Sequence, residues 1–182
     1  VRFVKTARYK GHFSNRAFRG LIESLENTIN NLTLKQSGSE WSSYTAELES
    51  YSGASLEHKT QTVKNYLARC QPWELWDLGA NTGVFSRIAC HAGARVIALD
   101  QDPHCVEANY LQCKSQNVDV LPLVLNLANP TPAIGWQNQE RSSLLQRASA
   151  DTVLALALVH HLVIANNLPL SMLVDFFADI CL

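Results

Sequence analysis

Residues 76–83 read Trp-Asp-Leu-Gly-Ala-Asn-Thr-Gly, an apolar run that ends in an acid and continues into a turn with two glycines. Residues 84–92 follow as an amphipathic run, and residues 95–99 form a second apolar run that ends in Asp100. Strand, glycine-rich turn, helix and strand, with an acid at the end of each strand, predict a nucleotide-binding half of a doubly wound α/β sheet.

The chemistry of the turn suggests what it binds. Gly79 and Gly83 have no side chain, so the backbone there can approach a ligand closely and adopt unusual dihedral angles. The start of the next helix offers unpaired N–H groups and the positive end of its dipole. Asp77 can hold a cationic group, and Asp100, about 20 positions after the first glycine, suits a carboxylate that accepts both ribose hydroxyls.

The glycine spacing argues against a dinucleotide. The dinucleotide fingerprint needs glycines at its first, third and sixth positions, and counting from Gly79 the last two are Asn81 and Val84. A nicotinamide-dependent oxidoreductase is therefore disfavoured. The stretch resembles instead motif I of the class I S-adenosylmethionine (SAM) methyltransferases. SAM has an ammonium, a sulfonium and a ribose but no phosphate, so an acid at the strand end suits it.

Composition limits the function classes. With 182 residues and 47% hydrophobic residues, the chain is expected to form one domain, or one domain with an appendage. A net charge of −1 argues against a nucleic-acid partner. The five cysteines form no C-x-x-C pair, which favours reduced thiols and a cytoplasmic protein. No apolar run is long enough for a membrane span, and we expect no membrane partner.

Residues 1–70 are predicted to form an N-terminal helical cap, and residues 71–182 the SAM-binding α/β domain. Apolar residues at helical spacing predict a first helix over 15–32 with one buried face. An aromatic stripe predicts a second helix, and a third is expected over 57–69. The stripe contains Trp41, Tyr44, Leu48 and Tyr51, and the third helix is expected to turn Val63, Tyr66 and Leu67 inward.

The rest of the chain alternates strands and helices. A third strand is expected at 120–125, near a sheet edge because Pro122 cannot donate to a ladder. A long connection with a polar helical run leads to a fourth strand at 151–158. The expected order 3-2-1-4 leaves an exposed apolar edge on the fourth strand, so we expect that the chain is truncated after it. A partner, such as a second copy in a homodimer, or the N-terminal helices could instead cover this edge.

Later motifs narrow the resemblance. Residues 98–103, 129–136 and 155–162, with the pair Asn166-Asn167, are similar to a bacterial group of class I methyltransferases often labelled nodulation-protein-like. The resemblance implies roles along the SAM molecule. Asp77 and Gly79 belong to the methionine end, Asp100 to the ribose, Gln101 or Asp102 to the adenine side, and Asn126 and Leu127 to the adenine ring. Asn81 and Gly83 of the turn are also expected to bind the cofactor.

Two of these roles have structural alternatives. Asp100 could be a helix-capping acid, and Asn126 could be a turn residue. Many methyltransferases have an acid at the position of Asn126 that accepts from the adenine amino group. An amide carbonyl does so more weakly, so this departure concerns cofactor affinity rather than the fold.

His160 and His161 follow the fourth strand, where the reacting end of a ligand lies in such sheets. A histidine can act as a general base near neutral pH. Enzymes that methylate amino groups of nucleobases or glutamine commonly carry an Asn/Asp-Pro-Pro-aromatic motif at this point. This chain has Leu158 and Val159 followed by the two histidines instead, which argues against that chemistry. O- or C-methylation of a small molecule is therefore favoured. In extended chain at most one histidine would face the substrate, and both could instead be structural.

The resulting hypothesis is a SAM-dependent methyltransferase with a small-molecule acceptor. The alternative is a non-catalytic interaction or regulatory module on the same scaffold. Trp136 and Tyr51 are weaker candidates for lining the acceptor pocket. No set of histidines, cysteines and carboxylates has the spacing of a metal site, so no metal is expected.

Overall fold

The computed structural model describes residues 14–32, 53–148 and 150–181. Its contacts divide the chain into two units, residues 1–35 and residues 36–182. The first unit contains α1 (Asn15–Asn30), and all other described elements belong to the second. The predicted helix with the aromatic stripe, including Tyr51, lies outside the described residues.

Helix α1 is confirmed, but its predicted buried face is not. The Ser14 hydroxyl caps the helix by accepting a hydrogen bond from the Ala17 N–H at 3.2 Å. Its apolar stripe is 47–65% exposed. Among the described residues of its unit, α1 is the only element, and none of them buries this face, so a periodic stripe alone did not determine burial. The stripe contains Phe18, Leu21, Ile22, Leu25 and Ile29.

The second unit is built on a four-stranded parallel sheet in the order β3-β2-β1-β4, as predicted. The strand β3 with Pro122 is at the edge, as expected for a residue without a backbone N–H. The strands are β1 (Glu74–Leu78), β2 (Arg95–Asp100), β3 (Val120–Val124) and β4 (Thr152–Leu154), and the helices are α2 (Gly53–Cys70), α3 (Val84–His91), α4 (Pro103–Gln116), α5 (Leu144–Arg147) and α6 (Leu170–Ile180).

Both faces of the sheet are covered, which explains why all five residues of β1 are buried. Successive strand residues point to opposite faces, so Leu75 packs in one core cluster and Trp76 in the other. Val63 and Leu67 of α2 pack in the first cluster, and Ile180 of α6 packs in the second.

Helix α2 therefore shares a core with the strands, while a domain boundary at residue 70 stays a prediction. The expected inward position of Tyr66 is wrong, because its side chain is 59% exposed. Val63 and Leu67, four residues apart, define the centre of the buried face, and Tyr66, three residues after Val63, lies at its margin, where the side chain reaches solvent.

The connection from β3 to β4 is less helical than predicted. It contains a short 3₁₀ turn at Trp136–Asn138 and the four-residue helix α5. Ser143 begins α5 with a capping box, in which its hydroxyl accepts from the Gln146 N–H and the Gln146 side chain accepts from the Ser143 N–H. Trp136, a candidate for lining a pocket, is 77% exposed.

The fourth strand is shorter than the predicted span 151–158. It pairs with β1 only over Thr152–Leu154, and Ala157 then adopts a left-handed conformation with φ +59°. The turn carries Leu158 back over the glycine turn, where a Cβ added to Gly79 would lie 3.0 Å from Leu158 Cδ1. The apolar residues after β4 thus cover the strand ends instead of extending the sheet. An isolated parallel bridge joins Ala150 to Cys181 beside the start of β4.

Asp151 ties β4 to the start of β1. Its Oδ2 accepts hydrogen bonds from the backbone N–H groups of Trp73 at 2.8 Å and Glu74 at 3.2 Å. We expect Asp151→Ala to lower the free energy of unfolding by about 1–3 kcal/mol, because two N–H groups lose their acceptor. Urea denaturation measures this, and the exposed Asp175→Ala is the control. Equal stability of the two variants would contradict the assignment.

Candidate functional site

A cavity of about 360 Å³ opens at the carboxyl ends of the strands, where parallel α/β sheets bind ligands. Its walls come from the glycine turn, the ends of β1 and β2, and the segments after β3 and β4. Helices α2 and α3 complete it. Eight of the predicted site residues line it: Asp77, Gly79, Asn81, Asp100, Gln101, Asn126, Leu127 and His161.

The glycine turn is held from behind by side chains of α3 and α4. Gly79 and Gly83 have φ +71° and +73°. A Cβ on Gly83 would clash with the Asn109 side chain. Arg87 Nη1 donates to the Thr82 carbonyl at 2.7 Å and to Asn109 Oδ1 at 3.2 Å. Gly83 does not line the cavity, so its missing side chain makes room for Asn109 rather than for a ligand.

Asp77 is a buried carboxylate at the end of β1, only 2% exposed. The Ser86 hydroxyl donates to its Oδ2 at 2.6 Å. Burial raises the pKa of Asp77 to about 6, with a further increase from the nearby Asp100, while the Ser86 hydrogen bond and the Lys59 charge oppose it. A buried carboxylate in this position favours a cationic ligand group, which would replace lost hydration.

Asp100 is held in a fixed orientation. Its Oδ2 accepts from the Asn81 N–H at 2.7 Å, and its Oδ1 accepts from the Asp102 N–H at 2.9 Å. Burial raises the pKa of Asp100, and these hydrogen bonds oppose the increase. A further backbone hydrogen bond comes from Gln101. The carboxylate is half-buried and lines the cavity, so a ligand hydroxyl can still reach it.

Asp102 does not line the cavity. Its side chain begins α4 by accepting from the His104 N–H at 2.9 Å. Of the two residues expected beside the adenine, the structure therefore brings only Gln101 to the cavity. The capping role considered for Asp100 belongs to Asp102.

Asn126 combines the two roles that the sequence left open. Its Oδ1 accepts from the Ala128 N–H at 2.9 Å, as in a side-chain-stabilised turn. It also lines the cavity together with Leu127. One oxygen lone pair and the amide N–H groups remain to offer to the edge of a ligand.

The two histidines lie side by side, with ring centroids 4.0 Å apart and planes tilted by 39°. They lie in helical chain at the start of a π-helical turn, His161–Ala165, so the expected alternation along an extended strand does not apply. His161 lines the cavity and His160 does not. Asn166, another lining residue, donates from its Nδ2 to the His161 carbonyl at 3.0 Å.

The sequence predictions missed the part of the wall that α2 provides. Leu56 and Lys59 line the cavity, and Lys59 Nζ lies 4.8 Å from the centroid of the Phe85 ring. The position of Lys59 could have been predicted, because it precedes the buried Val63 by four residues and so lies on the same side of the helix. The available signal was a lysine on the helix face that packs against the core. The other missed lining residues are Ser55, Ala80, Thr82, Val84, Phe85, Leu125, Leu156, Ala157, Leu158, Leu162 and Asn166.

The described residues contain no group of three or more histidine, cysteine, aspartate or glutamate side chains that could hold a metal ion. Within the same ranges, no helix has the length and apolarity needed to cross a membrane.

Comparisons with known proteins find a relative and a common fold. The chain is 38% identical over 168 residues, 90% of its length, to nodulation protein NoeA of Rhizobium meliloti (strain 1021). It spans about a third, 35%, of that relative. Two solved structures of WbdD match, the bifunctional kinase-methyltransferase with TM-score 0.53 and 15% identity, and a monomeric form with TM-score 0.52 and 16% identity. The first match covers 86% of this chain and 33% of WbdD, and the second covers 71% and 29%. No protein-family model matches the chain.

Proposed function

We propose that this chain, which shares the fold of the kinase-methyltransferase WbdD and is related to nodulation protein NoeA, binds SAM and methylates a small-molecule acceptor. One observation carries the proposal. Asp77, the glycine turn, Asp100 and Asn126, which are separated along the sequence, line a single cavity at the strand ends.

The lining residues fit SAM group by group. The buried Asp77 suits the ammonium, and the fixed carboxylate of Asp100 suits the ribose hydroxyls. Leu127 offers an apolar surface and Asn126 a polar edge for the adenine. The cavity volume of about 360 Å³ lies within the range of about 300–1,000 Å³ that is usual for sites of small ligands.

His161 is the proposed general base. SAM, when bound, supplies an activated methyl group. His161 accepts the proton that a hydroxyl or carbon acceptor loses, and its position in the cavity wall supports this role over His160. The turn at 156–158 and Leu162 provide apolar surface around it, which helps to exclude water.

The acceptor, partners and location complete the proposal. The acceptor atom is proposed to be oxygen or carbon. Enzymes that methylate nitrogen commonly carry an Asn/Asp-Pro-Pro-aromatic motif after the fourth strand, whereas this chain has a histidine pair there. The net charge of −1 supports a small-molecule acceptor over nucleic acid. The five free cysteines suit a cytoplasmic protein. The edge of β4 that does not pair with β1 is a candidate homodimer surface.

The alternative is a non-catalytic interaction or regulatory module on the same scaffold, which would not transfer a methyl group. It is the second candidate because the chain spans only 35% of its relative, so the acceptor site of a protein of that length can involve residues outside the matched part. A measured release of S-adenosylhomocysteine in the presence of an acceptor would exclude it.

Cofactor binding is tested by thermal unfolding. A ligand at about 100 times its dissociation constant should add about 2.7 kcal/mol and raise the melting temperature by about 5–10 °C. We expect this shift with SAM and with S-adenosylhomocysteine, and none with NADH. Asp100→Ala should remove most of the shift, because the ribose hydroxyls lose their acceptor. An unchanged melting temperature of the wild-type protein with both SAM compounds would overturn the proposal.

A further inference from the structure

The cavity has charges of opposite sign at one end. Lys59 is the only lysine or arginine among the described residues that line it. Its charge lowers the pKa of Asp77 against the effect of burial, so the two groups are within electrostatic reach of each other. Asp77 is buried at the strand end, and Lys59 reaches the same space from α2.

The position of Lys59 is set by packing. Val63 and Leu67, on the same face of α2, are 5% and 3% exposed and fix the helix against the sheet core. The Lys59 ammonium lies over the face of Phe85, which itself lines the cavity. A half-buried lysine gains from an anion that replaces its lost hydration.

An anionic group next to a cationic group on a ligand matches this pair of charges. Amino acids carry such a pair on one carbon atom, and so does the methionine part of SAM. We propose that Lys59 binds the carboxylate at the amino-acid end of the cofactor while Asp77 binds the ammonium. This inference rests on the proposed function and assigns a binding residue to it.

The consequence is an exchange of counter-ions on binding. Without ligand, Lys59 supplies part of the positive potential at Asp77. With ligand, the ammonium takes over that role, and Lys59 becomes available to the carboxylate. Selectivity for a complete amino-acid end over truncated ligands follows, because loss of the carboxylate leaves the half-buried Lys59 without its partner and loss of the amine leaves the buried Asp77 without one.

Three ligands separate the two contacts in a calorimetric titration. S-Adenosylhomocysteine carries both charged groups, its decarboxylated form keeps only the amine, and methylthioadenosine has neither. In the wild-type protein we expect each truncation to weaken binding by about tenfold or more, as for loss of a charge-assisted hydrogen bond.

Lys59→Met is the informative variant, since it removes the charge and keeps the apolar stem. It should weaken S-adenosylhomocysteine by about tenfold while changing the decarboxylated ligand less than about twofold. Lys59→Arg should restore most of the difference between these two ligands. Lys64→Met, an exposed lysine on the same helix that does not line the cavity, is the matched control and should bind like the wild type.

The outcomes are distinguishable. Equal affinity of the wild-type protein for S-adenosylhomocysteine and its decarboxylated form would overturn the role of Lys59 even if Lys59→Met failed to fold. So would a Lys59→Met variant that weakens both ligands equally. If the wild-type protein binds none of the three ligands, the proposed function itself is overturned.

Discussion

Asp77→Asn is expected to stabilise the ligand-free protein at neutral pH and to weaken its stabilisation by SAM. Burial raises the pKa of Asp77 from 3.8 to about 6, so the folded protein holds this proton more tightly than the unfolded chain does. The folded state therefore loses stability as the pH rises from about 4 to about 6. The loss is about 3 kcal/mol by the free energy that corresponds to such a shift.

Asparagine avoids this penalty because it carries no charge, and its amide oxygen can still accept from Ser86. The difference in unfolding free energy between variant and wild type should be small near pH 4 and should grow up to about pH 6–7 in favour of the variant. Urea denaturation at several pH values measures it, and other titrating groups cancel in the comparison. A variant that is less stable than the wild type at neutral pH would contradict the expectation.

The same carboxylate makes SAM binding depend on pH. The ligand ammonium favours ionised Asp77, so affinity in the wild type should fall as the pH drops below about 6. In Asp77→Asn the affinity should be lower and should lack this component of the pH dependence. A residue that lowers stability while it enables binding is a common property of functional sites.

Gly83→Ala is expected to have the largest effect on stability. The added methyl group would occupy the space of the Asn109 side chain, which is only 1% exposed and accepts from Arg87. Because Asn109 is buried, its displacement must also shift its neighbours, and it breaks the hydrogen bond that orients Arg87 toward the Thr82 carbonyl. We expect a loss of about 3–5 kcal/mol in unfolding free energy.

Gly93→Ala is the matched control for backbone strain. Gly93 also has a positive φ, +101°, but a Cβ there would meet nothing within 4 Å. Its substitution should cost about 1–2 kcal/mol, the strain of the left-handed region alone. The excess loss in Gly83→Ala then measures the clash with Asn109. Equal losses in the two variants would show that Asn109 can yield, and would contradict a turn held from behind.

The framework of the site could be predicted from local sequence. Acids at the ends of apolar runs, glycines after the first acid and the strand order follow from patterns that span a few residues each. These patterns brought Asp77, Asp100 and Asn126 to one edge because parallel strands end at the same side of a sheet. The edge position of β3 followed from a single proline.

The predictions failed where a residue's environment comes from distant segments. An apolar stripe did not determine whether α1 is buried, and the run at 151–158 looked like one strand although its second half turns over Gly79. Periodicity indicates which residues share a face of a helix or strand, but not which other element, if any, packs against that face. The same limit applied to Asp102, which caps a helix, and to Gly83, whose neighbour is Asn109.

Residues 76–83 and Asp100 at the end of β2 by themselves predicted the sheet and the proposed class of cofactor, because the dihedral freedom of glycine and the charge of a strand-end carboxylate are local properties. Only the tertiary structure decided which side chains line the cavity. It placed Lys59 of α2 in the same cavity wall as Asp77, put His161 rather than His160 in the wall, and covered the strand ends with Leu158. These contacts join segments far apart in the chain, and such segments meet only when the core packs.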